Sequence, residues 1–290
     1  MSYILITPVR NEEAYIEETL KSVASQAVPP SEWVIVSDGS TDRTDEIIAA
    51  HAEKHPFIHS VGNVERGAHS FASKVFAIET GLANLTNKDY AFIGILDGDI
   101  RLDSTYYQSI LDRFHEDKTL GLAGGALLQK IGNRFVDQKI NADSVAGGAQ
   151  VFRRECYEQI GGFIPMPKGG IDSVAEVMAR MHGWKTRTLT NIPFYHLKPM
   201  NSATGSLFYA KWQIGERDYL IGNHPLFELI RCVYRALERP YIISSIIRLA
   251  AYVTLWVRKP ESPVPIDVIK YKRREQLKRL GALFGRRRGA

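Results

Sequence analysis

Asp97 and Asp99 stand one residue apart at the end of the apolar run Ala91-Phe92-Ile93-Gly94-Ile95-Leu96. Such a run reads as a strand buried on both faces. In an open α/β sheet, ligands bind in the crevice beyond the carboxyl ends of the strands. Two carboxylates placed there repel each other unless something positive lies between them. A hard divalent cation carrying a diphosphate meets that need, and Gly98 lets the backbone come close and turn sharply. Taken alone, Asp-Gly-Asp is equally well a ligand-free turn, because Asp and Gly suit turns. The choice therefore rests on the other polar residues of the chain.

Asp38 follows the apolar Trp33-Val34-Ile35-Val36 and lands at another strand end. It is placed to accept from a nucleobase N–H or, alternatively, to close an Asx-turn. Pro8-Val9-Arg10-Asn11-Glu12-Glu13 follows a strand expected over Tyr3 to Thr7 and is a candidate nucleotide loop. Its plainer reading is helix capping: Asn11 at the N-cap, with Glu12 and Glu13 in the first turn of a helix running to Gln26. Lys74 lies early in a helix expected from about His69 to Ala83, after Arg66-Gly67-Ala68. It is a cation that could meet a phosphate or simply be solvated. Asp172 is expected at the N-cap of a helix reaching about His182, with Glu176 and Arg180 as an i,i+4 ion pair. His196 is a candidate metal or phosphate ligand; a buried, hydrogen-bonded histidine is the other option.

These residues need a scaffold, and the first 115 positions supply one. Apolar runs at 3–7, 33–36, 57–61 and 91–96 alternate with helix-periodic stretches at 14–26, 42–52, 69–83 and 104–115. That β-α alternation predicts a parallel sheet covered by helices on both faces, with 57–61 at its edge. Strands are also expected over Leu120 to Gln129, Gly148 to Phe152 and Trp184 to Leu189, with an irregular segment around Arg134 and Asp137. Gly124-Gly125 and Gly147-Gly148 permit close approach of a ligand or another backbone. From Ser206 the pattern is helical, interrupted at Pro240. Tyr241 to Val257 carries only one charge, Arg248. It is too short for a comfortable membrane span. It could lie in a membrane interface, with Tyr252 and Trp256 at headgroup depth and Arg258 and Lys259 beyond. A dimer interface or a helical cap on the sheet is the alternative.

Composition narrows the function classes. The chain has 290 residues, 44% hydrophobic and 24% charged, the range of a globular protein. Its formal charge of +5 is concentrated after Glu261, where Lys270, Lys272, Arg273, Arg274, Lys278, Arg279 and Arg286 to Arg288 outnumber the acids. A basic tail points to an anionic surface, or is a solvated helix with a frayed end. Cys156 and Cys232 are the only cysteines, so no disulfide framework or zinc cluster is expected and a reducing compartment fits. No basic-then-apolar leader precedes Tyr3, and a cytoplasmic protein is the expectation, with peripheral attachment to the inner face of the cell membrane as an option. Neither G-x-G-x-x-G after the first strand nor a Walker lysine loop is present. No nucleic-acid recognition motif is evident, and none is expected to be bound.

With these motifs in view, the chain resembles inverting family 2 glycosyltransferases of the GT-A fold. Thr7 to Glu13 is similar to that family's opening nucleotide loop, and Val36 to Asp42 to its second loop. Leu96-Asp97-Gly98-Asp99 is similar to its D-x-D, and Gly148 to Arg154 with Ile160-Gly161-Gly162-Phe163 to its acceptor-side signature. The resemblance covers roughly residues 3 to 200. It implies a Rossmann-like, mixed but mainly parallel sheet flanked by helices over 1–204, with a helical, basic appendage over 205–290. It also implies nucleotide contacts from Pro8, Val9, Arg10, Glu12, Asp38, Lys74, Asp97 and Gly98. Asp99 and Asp97, with His196 as a further candidate, would hold Mn²⁺ or Mg²⁺. Gly148, Ala149 and Gln150 would face the acceptor, and Asp172 would be the catalytic base. The implied reaction moves a sugar from a nucleoside-diphosphate sugar to a glycan or lipid-linked acceptor, by a protein that could dimerise through its C-terminal helices. Three departures stand out: Ser37 precedes Asp38 where the family has Asp-Asp, Ile171 precedes Asp172 where it has Glu-Asp, and the Q-x-x-R-W element of processive synthases is missing. The last implies transfer of single sugars. A sugar-1-phosphate nucleotidyltransferase would need a glycine- and arginine-rich loop after the first strand, and Thr7 to Glu13 has no glycine. A non-catalytic nucleotide- or membrane-binding scaffold would have no use for Asp97, Asp99 and Asp172 together.

Overall fold

The computed structural model describes residues 2–62, 71–199, 207–235 and 242–285. The chain opens with β1 (Tyr3–Val9), α1 (Ile16–Ala24), β2 (Glu32–Ser37), α2 (Thr44–Ala52), β3 (Ile58–Gly62) and α3 (Ala72–Ala83). Next come β4 (Phe92–Leu96), β5 (Ile100–Leu102), α4 (Tyr106–Glu116), β6 (Leu120–Ile131) and β7 (Arg134–Asp137). Then β8 (Ala149–Arg153), α5 (Arg154–Gln159), α6 (Ile171–Met181) and β9 (Lys185–His196) complete the sheet region. Four helices follow: α7 (Leu207–Leu220), α8 (Pro225–Tyr234), α9 (Ile242–Arg258) and α10 (Ile266–Gly285).

The strands form one sheet in the order β3-β2-β1-β4-β8-β6-β9-β5, with β7 paired to β6. The block β3-β2-β1-β4 is parallel, while β8 runs antiparallel to both β4 and β6. Side-chain alternation along the strands builds two cores. Ile4 and Ile6 of β1, Val34 and Val36 of β2, and Ile93 and Ile95 of β4 face Val75 and Ile78 of α3 and Val174 and Val177 of α6. Tyr3 and Leu5, Trp33 and Ile35, and Phe92 and Leu96 face the other way, against α1, α2 and α4. The result is the α/β fold with helices on both faces. Val264, Val268 and Ile269 pack into the first of these cores, so the sheet region and α10 share apolar surface.

Several local expectations need correction. Asn11 does not cap α1. Tyr15 holds the N-cap without a side-chain hydrogen bond, and the acids of the first turn are Glu17 and Glu18. Asn11 has φ 51° and accepts instead from Thr41 N–H at 2.8 Å. Asp172 is not an N-cap either; Gly170 is, with φ 96°, and Asp172 sits inside the first turn. Ile100–Leu102 is a short strand rather than a lead-in to α4, and Arg134–Asp137 forms a hairpin with β6. β9 runs on past Leu189 to His196, bulging near Pro193 and pairing with both β6 and β5. Within the basic region α10 is helical as expected, but it is not a wholly solvated helix: Lys272 is buried and donates to Ile221 O at 3.0 Å. Arg66 to Ala68, the start of the third helix at His69, Pro240, Tyr241 and Arg286 to Arg288 lie outside the described residues.

Candidate active site

β1 is flanked by β2 on one side and β4 on the other, so their carboxyl ends open the crevice that such a strand order creates. Two loops are stitched together across it. Glu12 N–H donates to Thr44 Oγ1 at 2.8 Å and Glu13 N–H to Asp42 Oδ2 at 3.1 Å. Behind them, Thr19 Oγ1 donates to Gly98 O at 2.8 Å and anchors the turn after β4.

A cavity of about 300 Å³ lies over these ends. Pro8, Val9, Arg10, Glu12, Asp38, Lys74, Asp97, Gly98 and Asp99 all line it. Every residue expected to touch a nucleotide is therefore in one place. Ser73 and Ala77, on the first turns of α3, also line it and were not foreseen. A second cavity of about 400 Å³ adjoins it, and Lys74 and Asp97 belong to both. Asp172, His196, Gly147 and Gly148 line this second space, together with Phe71, Gln129, Lys168 and Arg217. Ala149 and Gln150 do not reach either cavity. Both are buried in β8, where Ala149 O accepts from Tyr106 Oη at 3.2 Å and Gln150 Nε2 turns back to Val145 O. Strand alternation sends the two side chains to opposite, buried faces of the sheet, and only Gly148 of that expected trio meets the cleft.

The dividing wall is an ion pair. Lys74 Nζ lies 2.6 Å from Asp97 Oδ1. Burial opposes the charge on Lys74, but Asp97 first and Asp172 next outweigh it and raise the ammonium's pKa. Asp97 is raised too, by burial and by the negative charges of Asp99 and Asp172, against the pull of Lys74. Asp97 N–H donates to Gly148 O at 2.9 Å, tying the end of β4 to the start of β8. On the nucleotide side, Glu12 pairs with Lys198 at 2.6 Å. Its pKa is raised because burial exceeds what Lys198 returns. Lys198, two residues past His196, was not singled out from the sequence, although that spacing puts both on one side of an extended segment.

Asp99 is buried, with Oδ2 3.3 Å from His196 Nε2. Burial alone would lower the His196 pKa, but the Asp99 hydrogen bond and charge raise it. Asp99 Oδ1 is buried without a hydrogen-bond partner among the described residues. An orphaned carboxylate oxygen beside an imidazole fits a Mn²⁺ or Mg²⁺ that keeps its remaining coordination for phosphate oxygens and water. No cluster of three or more acid, histidine or cysteine ligands occurs among the described residues, so the protein's share of such a site is small.

Asp172 sits against Gly147. A methyl group built on Gly147 would collide with the Asp172 carboxylate, so this position requires glycine. Asp172 Oδ1 is buried and has no partner among the described residues, which leaves it able to accept a proton. One turn on, Glu176 accepts from Val145 N–H at 2.9 Å and fixes the segment that carries Gly147. Burial pushes the Glu176 pKa up to about 7 despite that hydrogen bond and Arg180. Gly170, at the start of α6, lies where a methyl would meet Ile221 at 2.9 Å and Arg217 at 3.4 Å, so α7 is seated directly on the second cavity.

The C-terminal helices are held by a buried ionic cluster. Arg248 lies 2.6 Å from Asp218 and 2.9 Å from Glu228, and Arg231 contacts both acids. Arg248 is thus an internal residue of the helical layer and not a charge in the middle of an interfacial helix. Tyr252, expected at headgroup depth, is buried with its hydroxyl donating to Asn223 O at 2.6 Å. Trp256 remains half exposed, as do Ile242, Ile246 and Val253 along the same face of α9. No helix among the described residues is long and apolar enough to cross a membrane.

Comparison with known proteins gives one consistent result. The family model described as Glycosyl transferase family 2 matches residues 4–177. The poly-β-1,6-N-acetyl-D-glucosamine synthase of Staphylococcus epidermidis is 30% identical over 115 residues, 40% of this chain and 26% of that protein. The uncharacterized glycosyltransferase EpsJ of Bacillus subtilis is 26% identical over 143 residues, 49% of this chain and 39% of its own length. The chain thus spans well under half of the curated relatives it matches. Among solved structures, the mannosyltransferase PcManGT of Pyrobaculum calidifontis, in complex with GDP-Man and Mn²⁺, superposes with a TM-score of 0.57 at 17% identity. That match covers 98% of this chain and 87% of that one. S. aureus TarS 1-349 in complex with UDP-GlcNAc gives 0.57 at 18% identity, over 87% of this chain and 72% of its own.

Proposed function

The chain belongs to glycosyl transferase family 2, and from that premise we propose that it transfers one sugar from a nucleoside-diphosphate sugar to an acceptor hydroxyl, with inversion at the anomeric carbon. The observation that carries this reading is the pair of adjoining cavities that share Lys74 and Asp97. Strand-end acids and backbone line one, and a carboxylate with an unpartnered buried oxygen lines the other. Structural neighbours hold GDP-Man with Mn²⁺ and UDP-GlcNAc, which supports a nucleotide sugar as donor.

In this reading Asp38, Pro8, Val9, Arg10 and Glu12 receive the nucleoside, and Lys74 stands where the sugar-proximal phosphates pass. Asp99, with His196 beside it and Asp97 across, would hold Mn²⁺ or Mg²⁺, which offsets negative charge on the departing diphosphate. Asp172 accepts the proton of the attacking hydroxyl as the oxygen–carbon bond forms and the bond to the diphosphate breaks. Because attack comes from the second cavity and departure is into the first, a single displacement inverts the centre. General-base help of this kind contributes about 10²–10⁴-fold. The acceptor is a glycan or a lipid-linked glycan. The exposed apolar rows of α8 and α9, with Arg258 and Lys259 at their edge, would rest on an anionic membrane at the inner face of the cell.

Asp172→Asn tests the assignment. The amide keeps the shape but cannot take the proton, so transfer should fall by about 10²-fold or more, with nucleotide binding by calorimetry unchanged. Full transfer activity in that variant removes Asp172 from the reaction.

A further inference from the structure

Four cationic side chains, Lys74, Lys168, His196 and Arg217, line the second cavity together with the carboxylates of Asp97 and Asp172. Three of its four cationic side chains are paired among the described residues: Lys74 with Asp97 at 2.6 Å, Lys168 with Glu216 at 2.9 Å, and His196 with Asp99 at 3.3 Å. Arg217 is different. Its nearest carboxylate is Asp218, at 3.7 Å, beyond hydrogen-bond reach. Asp218 already holds Arg248 at 2.6 Å and Arg231 at 2.9 Å, and Glu228 holds the same two arginines. Arg248 and Arg231 both take Asp218 Oδ2, and Oδ1, the oxygen that faces Arg217, makes no hydrogen bond among the described residues. Arg217 Nε is buried with no partner among the described residues.

We propose that the acceptor carries an oxyanion, a phosphoester or a carboxylate, and that Arg217 of α7 is the side chain that receives it. The proposal rests on the glycosyl-transfer reading for the word acceptor, and for the anion on a guanidinium that lines the cavity without a hydrogen-bond partner at Nε. A guanidinium presents a planar fork of N–H donors that matches such a group in two parallel hydrogen bonds. The cavity leaves room for it beside Asp172: Arg217 Cγ and Cδ lie 3.4 Å from where a Gly170 methyl would stand, so the glycine gives the arginine its place over the start of α6. Burial, and then the nearby Arg248 and Arg231, push the Arg217 pKa down in spite of Asp218; an incoming anion relieves that strain. Arg217 lines the second cavity and not the first, which sets it on the acceptor side of the site.

The test titrates the full chain with sn-glycerol 3-phosphate, glucuronate and glycerol, in Mn²⁺ and saturating UDP or GDP so that the donor cavity is filled. We expect at least one of the two anions to bind and glycerol not to; which anion binds identifies the oxyanion. Arg217→Gln should weaken that binding by about 10-fold or more, the worth of a charge-assisted hydrogen bond, and Arg217→Lys by less. Arg217→Gln should also melt at the same temperature as the parent, since the side chain is 35% exposed and no carboxylate among the described residues lies within hydrogen-bond distance of it. Equal anion affinity in Arg217→Gln, binding of glycerol as strong as that of the anions, or a marked fall in melting temperature that would make Arg217 a structural ion-pair member each overturns the proposal. If neither UDP nor GDP binds, the donor reading fails on its own, and the anion titration run without nucleotide still decides the role of Arg217.

Discussion

Glu176 offers a measurement in which the magnitude follows from the fold. Its side chain sits on α6 one turn after Asp172, is buried, and accepts from Val145 N–H. Burial is the largest influence on it and raises its pKa from 4.5 to about 7. The unfolded chain releases this proton near the lower value, the folded protein near the higher one. Between the two the folded state binds more protons, so stability declines as pH rises through that window. The full cost, reached above pH 7, is about 3 kcal/mol. Glu176→Gln keeps an oxygen for Val145 N–H and carries no charge. It gives up only the 3.6 Å approach to Arg180, which retains Glu275 at 2.8 Å. Urea unfolding at pH 5, 6, 7 and 8 should find the two proteins close at pH 5. At pH 8 the variant should be ahead by about 3 kcal/mol, roughly 1 M in midpoint for a chain of this size. Parallel stability profiles for the two proteins across this range would show that Glu176 is not the buried acid the fold implies.

Two further outcomes bear on the donor site and the helical layer. Asp99→Ala removes the orphaned oxygen and the partner of His196, so calorimetry should show that Mn²⁺ no longer strengthens UDP or GDP binding; an unchanged metal effect counts against Asp99 as a ligand. The membrane reading predicts that the protein sediments with anionic vesicles and less with neutral ones, and that Ile246→Glu with Val253→Glu on the exposed face of α9 abolishes sedimentation without lowering the melting temperature. Equal sedimentation of parent and variant refutes it, and a concentration-dependent dimer lost in the same variant assigns the face to a second copy instead.

Much of the scaffold was legible because its signals are local. The apolar runs ending in Asp38 and Asp97 are short, continuous and buried on both faces, and the parallel block β3-β2-β1-β4 follows from β-α alternation. All the expected nucleotide contacts line one cavity: all but Lys74 lie at or just beyond the strand ends of one parallel block, and Lys74 reaches it from α3. The misreadings have a different origin. Asn11 and Asp172 look like caps because Asn and Asp usually cap helices. Here Asn11 is spent on Thr41, 30 residues away, and Gly170 begins α6 in a left-handed conformation. β5 and β7 are too short to declare themselves; β5 pairs with β9, which arrives more than eighty residues later, and β7 folds back on β6 just before it. Arg248 read as a charge inside an apolar helix because its partners, Asp218 and Glu228, lie on two other helices.

The same distinction separates the two cavities. Most residues of the first follow from one rule, the carboxyl ends of neighbouring parallel strands. The second has no such rule. Gly147 must be glycine because Asp172 lies against it, yet the two are brought together by α6 packing on the segment before β8, through Glu176 and Val145. Arg217 stands over the cavity where Gly170 leaves space for it, on a helix that arrives some forty residues after Gly170.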